Sequence, residues 1–298
     1  MSICEDTIVF NCAGDLLLGI VARPGIAPQD VAADRSPATA GETAVIIVVG
    51  GPQYRAGSQR QFVTLARACA AAGYPALRFD YRGMGDSEGA QRSFETIDED
   101  IASAIDATQK RCPQVSRIVL WGLCDGASAA LLCLMKGDAR IRGLCLLNPW
   151  VRNATSLARA HVKHYYGRRL LEREFWGKLL RGRVNAAGAL WELLCKIRLS
   201  VSRGGKGSMQ DLPFQDRMAN SLREYSGQVL LILSGNDYTA KEFLEHARAD
   251  AAWTGLLEAA NTSQFEVPEA DHTFSTANHR KDVEQATLRW IRGSLARA

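Results

Sequence analysis

Apolar residues recur along this chain with two alternating periods. Short β-branched and leucine-rich runs at residues 44–49, 75–79, 117–121, 141–147, 228–233 and 263–267 lack the polar alternation of a half-exposed strand. Such runs predict strands buried on both faces. Between them lie segments with helical spacing. Phe62, Leu65, Ala66 and Cys69 mark a helix over 58–72, and Ile97, Ile101 and Ile105 mark one over 94–109. Further helices are predicted over 125–136, 240–254 and 279–296. Strand–helix alternation of this kind predicts an α/β fold, with a mainly parallel sheet covered by helices on both faces. At the start, residues 7–10 and 16–22 flank a turn at 11–15 and predict a hairpin, and the Pro-, Ala- and Asp-rich stretch 24–42 predicts a surface loop.

The alternation stops near residue 150 and resumes near 216. The chain therefore divides into a core of residues 1–149 and 216–298 and a helical insertion, 150–215, expected to cap one end of the sheet. From Val151 to Gln210 there are thirteen Lys or Arg against three Glu, a net of +10 (13 − 3), interleaved with Tyr165, Tyr166, Phe175, Trp176 and Trp191. Residues 203–208, Arg-Gly-Gly-Lys-Gly-Ser, read as a hinge-like loop. Three readings fit the insertion: a lid whose basic face is only solvated, a lid that selects an anionic or carrier-bound acyl substrate, or a surface that docks on an anionic membrane leaflet.

Composition narrows the setting. The 298 residues are 47% apolar with a formal charge of +4, enough for a large core and too mild a charge for a nucleic-acid binder. No apolar run is long enough to span a bilayer. The eight cysteines form no C-x-x-C pair, and no His pair stands beside them at metal-ligand spacing, so neither a metal nor a cofactor is expected. Most of them sit in apolar runs, as ordinary buried thiols do. With no charged-then-apolar leader at the N-terminus, this predicts a reducing, cytoplasmic setting.

The strongest chemical signal is Trp121-Gly122-Leu123-Cys124-Asp125-Gly126, between a buried strand and an Ala/Leu-rich helix. Small residues two before and two after a central nucleophile are what a nucleophile elbow requires. The helix that follows aims its positive end at residue 124, which favours a thiolate there. An acid is then expected after a later strand and a histidine after the last one. Asp237 follows the strand 228–233 through Ser234-Gly235-Asn236, and His272 lies between the last strand and last helix. Asp237 also suits a helix cap. The oxyanion site needs two backbone N–H groups. Asp125 would supply one, and the other would come from Gly51, with Gln53 as the alternative, because Pro52 has no N–H. Tyr54, Arg55, Trp150 and Tyr238 flank these positions and are the candidate substrate contacts. The direction of the Asp125 carboxylate is open: beside the nucleophile it would oppose a thiolate, but it could equally point away.

These motifs resemble the α/β-hydrolase superfamily over nearly the whole chain, and residues 79–89 look like its Asp-x-Arg-Gly-x-Gly-x-Ser loop, in which Arg82 and Ser87 would be structural. Residues 50–62, 122–126 and 234–240 are most similar to the exosortase A system-associated hydrolases of type 1, a bacterial group encoded with exopolysaccharide and protein-sorting machinery. The Cys elbow alone is also similar to that of dienelactone hydrolases. The resemblance implies an α/β-hydrolase fold with a helical cap. It also implies a cellular setting, with peripheral contact with exopolysaccharide machinery or membrane, and not a substrate; the Cys124–His272–Asp237 triad read from the residues is expected to act on an acyl ester or thioester, by hydrolysis or acyl transfer. A non-catalytic binding or scaffold protein of that machinery with the same fold is the alternative.

Overall fold

The computed structural model describes residues 2–25, 41–51, 53–152 and 211–295. The chain forms two compact units, Met1–Val151 with Pro213–Ala298, and Arg152–Leu212. Residues 153–210 lie outside the described residues, and with them the expected lid helices, basic face and hinge-like loop.

The first unit is built on an eight-stranded sheet in the order β1-β2-β4-β3-β5-β6-β7-β8. The strands are β1 (Ile3–Cys12), β2 (Asp15–Pro24), β3 (Thr43–Val48), β4 (Ala76–Phe79), β5 (Arg117–Leu123), β6 (Ile141–Leu147), β7 (Gln228–Ser234) and β8 (Thr262–Val267). β1 and β2 pair antiparallel, β2 runs antiparallel to β4, and every later pairing is parallel. β3 and β4 are buried at every position, as the apolar run of β3 requires, and β4 carries the buried Arg78 among its apolar residues. The helices are α1 (Gln61–Ala71), α2 (Asp98–Arg111), α3 (Asp125–Cys133), α4 (Phe214–Glu224), α5 (Tyr238–Ala249) and α6 (Ala277–Ser294). They form two groups: α1 meets α6, whereas α3 meets both α2 and α4. Trp121 of β5 links the sheet to the first group. It lies edge-to-face on Phe62 of α1 and donates from Nε1 to Thr287 Oγ1 of α6 at 3.3 Å.

The predicted hairpin is longer than its apolar pattern indicated, because Cys12 pairs with Asp15 around a turn of only Ala13 and Gly14. Both turn residues have positive φ, 52° and 100°, the geometry that matches strand twist in a tight hairpin. A second difference lies at the boundary of the insertion. Phe214 and Gln215 start α4, which belongs to the unit with the sheet, and Gln215 Nε2 donates to Val151 O at 2.8 Å.

The loop after β4 is braced as expected. Arg82, 2% exposed, donates to Asp100 from Nε and from its second terminal nitrogen (2.8 Å), and also to Glu99. Ser87 Oγ donates to Asp80 O at 2.6 Å and accepts from Leu18 N at 2.9 Å. The parallel registers bring the C-terminal ends of β3, β5, β6, β7 and β8 to one edge, with Val48 beside Gly122, Leu123 beside Leu147, and Ser234 beside Val267. Open α/β sheets carry their chemistry at this edge.

Candidate active site at the C-terminal edge of the sheet

β5 ends at Leu123 and α3 begins at Asp125, so the reversal from strand to helix falls on Cys124 alone. Cys124 takes φ 60° and ψ −125°, a region that costs a side-chain-bearing residue about 1–3 kcal/mol. Its surroundings over-determine that conformation. Its N–H donates to Leu147 O at 2.8 Å, and its carbonyl accepts from Ala127 N (3.0 Å) and Trp150 N (3.3 Å). The two flanking glycines leave no room for anything larger. A Cβ on Gly122 would sit 2.4 Å from Gly126 O, and one on Gly126 would sit 2.5 Å from Val48 O, both against rigid backbone. Gly126→Ala is therefore expected to destabilise the fold by about 3 kcal/mol, since backbone strain of this kind belongs to the large-effect class, with urea denaturation as the measurement.

Seven free cysteines fall among the described residues, and five are buried. Burial pushes the thiols of Cys69 and Cys133 up to about 12 and raises that of Cys145 further, so these remain inert thiols at neutral pH. Cys124 is half-buried, and its side chain is one of the groups that hold the His272 imidazole in its protonated form. The ring nitrogen Nδ1 of His272 lies 2.8 Å from Asp237 Oδ2. The hydrogen bond that His272 donates to Asp237, followed by the influence of Cys124, outweighs desolvation and pushes the His272 imidazole up to about 10. The structure thus joins His272 to Asp237 by a hydrogen bond and sets Cys124 close enough to act on the same ring.

Asp237 performs both jobs the sequence left open. It caps α5, accepting from Thr239 N at 3.2 Å on Oδ1 and from Ala240 N at 3.1 Å on Oδ2, while Oδ2 also holds His272. Burial pushes its carboxyl up, but the hydrogen bond and charge of His272, with the two cap amides, bring it below its ordinary value.

A residue that sequence reasoning passed over fixes the His272 loop. Asn148 is fully buried at φ 43°, just past β6. Its Nδ2 donates to Ser234 Oγ (2.8 Å) and to His272 O (3.1 Å), and its Oδ1 accepts from Ser234 N (2.9 Å). Ser234 Oγ in turn donates to Asp271 O at 2.9 Å. The available signal was an Asn at the end of a buried strand, a residue type that tolerates positive φ.

The expected oxyanion elements converge but differ in detail. Gly51 has φ 59°, in the loop that faces α3. The Asp125 carboxyl points into this loop: a Cβ on Gly50 would lie 2.3 Å from Asp125 Oδ1. Burial raises the Asp125 carboxyl above its ordinary value, against the pull of the amides of Gly51, Gly126 and Asp125 itself and of the His272 charge. The Gln53 side chain accepts from Gln61 Nε2 at 3.4 Å.

Of the candidate substrate contacts, Arg55 is paired within the fold. Its guanidinium pairs with the buried Asp80 and with Asp86 (2.6 Å), and its N–H donates to Asp80 Oδ1 at 2.7 Å. The charge is spent on bracing the loop after β3 against the loop after β4. Tyr54 and Tyr238 are exposed, at 50% and 82%. Trp150 is partly buried, with its N–H and carbonyl both tied to Ser128 Oγ at 3.0 and 2.7 Å. Among the described residues no cluster of three or more His, Cys, Asp or Glu could hold a metal ion, and no helix is long and apolar enough to cross a membrane.

The sequence profile of the alpha/beta hydrolase family matches residues 45–286, a span from β3 into α6 that holds Cys124, Asp237 and His272. The chain belongs to the alpha/beta hydrolase family. Solved structures share the fold at low identity. An esterase of Pyrococcus furiosus, Pf2001, superposes with a TM-score of 0.61 at 14% identity, covering 97% of this alpha/beta hydrolase and 91% of that chain. Est1E of Butyrivibrio proteoclasticus, solved with ferulic acid, gives 0.58 at 16% identity, covering 97% and 99%. An alpha-beta serine hydrolase homologue from Coxiella burnetii gives 0.53 at 13%, covering 95% and 96%. Among curated proteins this alpha/beta hydrolase has no significant match.

Proposed function

We propose that this alpha/beta hydrolase is a cysteine-nucleophile enzyme that cleaves an acyl ester or thioester, transferring the acyl group to water or to an alcohol. The observation that carries the reading is the half-buried Cys124 at a strained turn, acting on the charge of a His272 ring that Asp237 holds at 2.8 Å. The His272 imidazolium and the N-terminus of α3 both place positive charge toward Cys124. The thiolate attacks the acyl carbonyl: a C–S bond forms and the carbonyl π pair moves to oxygen. When the tetrahedral adduct collapses, the leaving alkoxide or thiolate takes the proton of His272. Acylation removes the negative sulfur, one of the causes that keep His272 protonated, so the now neutral imidazole can accept a proton from the water or alcohol that attacks the thioester. Asp237 stabilises the imidazolium throughout and fixes the ring tautomer. Thioesters and activated esters suit this nucleophile better than amides, because an amine leaves poorly.

The setting we propose is a cytoplasmic one linked to exopolysaccharide synthesis. It rests on the similarity of residues 50–62, 122–126 and 234–240 to exosortase A system-associated hydrolases of type 1 and on a chain rich in reduced thiols. The basic composition of residues 151–210 favours an anionic or carrier-bound acyl substrate over a neutral one. The test is a pre-steady-state assay on a panel of p-nitrophenyl esters and acyl-coenzyme A thioesters. The expected result is a burst of leaving group equal to the enzyme concentration with at least one member. Absence of both burst and turnover across the panel would favour a scaffold protein with a hydrolase fold.

A further inference from the structure

The Asp125 carboxyl stands where a carboxylate should not. In an oxyanion site the groups facing the substrate oxygen must donate hydrogen bonds, because negative charge accumulates there as the thiolate attacks. The side chain of Asp125 nevertheless turns toward the Gly50–Gly51 loop, and only the missing Cβ of Gly50 makes room for Oδ1, at 2.3 Å from where that carbon would be. Oδ1 is buried and has no hydrogen-bond partner. The amides of Gly51 and of Asp125 itself, the two expected oxyanion donors, bear on this same carboxyl together with that of Gly126, and all three pull against the effect of burial. Three groups therefore converge on one small volume beside Cys124, and one of them changes from donor to repellent when it loses a proton.

We propose that Asp125, as a neutral carboxylic acid, is a catalytic residue that donates the third hydrogen bond to the substrate oxyanion. The inference rests on the reading of Cys124 as nucleophile. During attack the carbonyl oxygen gains the π pair and accepts hydrogen bonds from the Gly51 amide, the Asp125 amide and the Asp125 hydroxyl. On collapse the pair returns to carbon, and the carboxyl keeps its proton. Burial already favours the neutral form of this carboxyl, and the incipient oxyanion favours it further. The other titratable groups that face it are Cys124 beside it, His272 from the loop after β8, whose positive charge works the other way, and Tyr81 from the loop after β4. Tyr81 is pushed up to about 12, first by burial and then by the charges of Asp125 and Asp100, so it stays neutral through the working range.

The experiment compares wild type, Asp125→Asn and Asp125→Ala from acidic to mildly alkaline pH by two rates. One is acylation by p-nitrophenyl acetate, which builds an oxyanion. The other is alkylation of Cys124 by iodoacetamide, which uses the same thiolate and builds none. Their ratio cancels the thiolate fraction. In wild type the ratio is expected to fall as pH rises through the ionisation of Asp125. In Asp125→Asn, which donates at every pH, the ratio should be flat and should exceed wild type at the alkaline end. In Asp125→Ala it should be flat but about 100-fold below the Asn variant, the loss of one oxyanion donor. A wild-type ratio with no such fall, or an Asn variant that keeps the fall, overturns the donor role while alkylation at Cys124 leaves the nucleophile standing. Acylation that persists in Cys124→Ala instead removes the nucleophile, and the donor role with it.

Discussion

Cys124→Ala is expected to lower kcat for ester and thioester cleavage by about 10⁵-fold, the scale seen when a nucleophile that acts as part of a unit is removed. Stability should barely change. The residue is half-buried, and its turn is held by main-chain bonds to Leu147, Ala127 and Trp150 that an alanine keeps. Cys124→Ser is the sharper version of the test. A serine hydroxyl reacts only when a neutral imidazole accepts its proton, but the hydrogen bond to Asp237 leads the causes that keep His272 protonated. The Ser variant is therefore expected to be slow at neutral pH and to gain activity as the solution becomes alkaline. A Ser variant as fast as wild type at neutral pH would show that ionisation of the sulfur is not part of the mechanism. The comparison is made by steady-state kinetics across pH, with urea denaturation confirming the fold.

Asp237→Asn is expected to lower kcat by about 10⁴-fold and to cost stability at neutral pH through the lost pairing with protonated His272, not through the start of α5. The separation follows from the two roles of this one side chain. Asn is as good an N-cap as Asp, and its Oδ1 can still accept from an α5 amide, so the helix start survives. What is lost is the charge that holds His272. The pH dependence gives a second readout. His272 is shifted up from 6.5 to about 10 in the fold, so it contributes stability that is fully present below pH 6.5 and is lost as pH rises through about 10. In Asp237→Asn the leading cause of that shift is gone. The alkaline loss of stability should shrink, and the alkaline end of the alkylation profile should move to lower pH. Denaturation curves at several pH values and iodoacetamide rates measure the two effects.

The extent to which the site was legible in sequence depends on how local each constraint is. The elbow was legible because its requirements are packed into five residues: Gly122 and Gly126 are small for steric reasons that the backbone contacts make explicit. The core strands were legible because β3, β5 and β7 are buried on both faces and so read as unbroken apolar runs. The hairpin ends were not, because Ala13 at positive φ is an uncommon turn residue and gives no compositional signal. The pairing of Arg55 was not legible because its partners, Asp80 and Asp86, lie more than twenty residues away, and a lone arginine beside a glycine loop looks the same whether it meets a ligand or a buried carboxylate. Asn148 was missed for a similar reason: its role consists of hydrogen bonds to Ser234 and His272, which only the folded sheet edge brings near. The direction of the Asp125 side chain depended on the space left by Gly50, a contact between residues seventy-five positions apart that no local pattern records.

Sulfur at position 124 has to carry the acyl group if this mechanism operates. Acid-quenching the enzyme during turnover of a p-nitrophenyl ester, followed by proteolysis and mass spectrometry of the peptides, reads that directly. The expected result is one acyl group on the peptide containing residue 124, removed by neutral hydroxylamine and absent from His272→Ala. An acyl group found reproducibly on another residue, or turnover undiminished in Cys124→Ala, would contradict the mechanism.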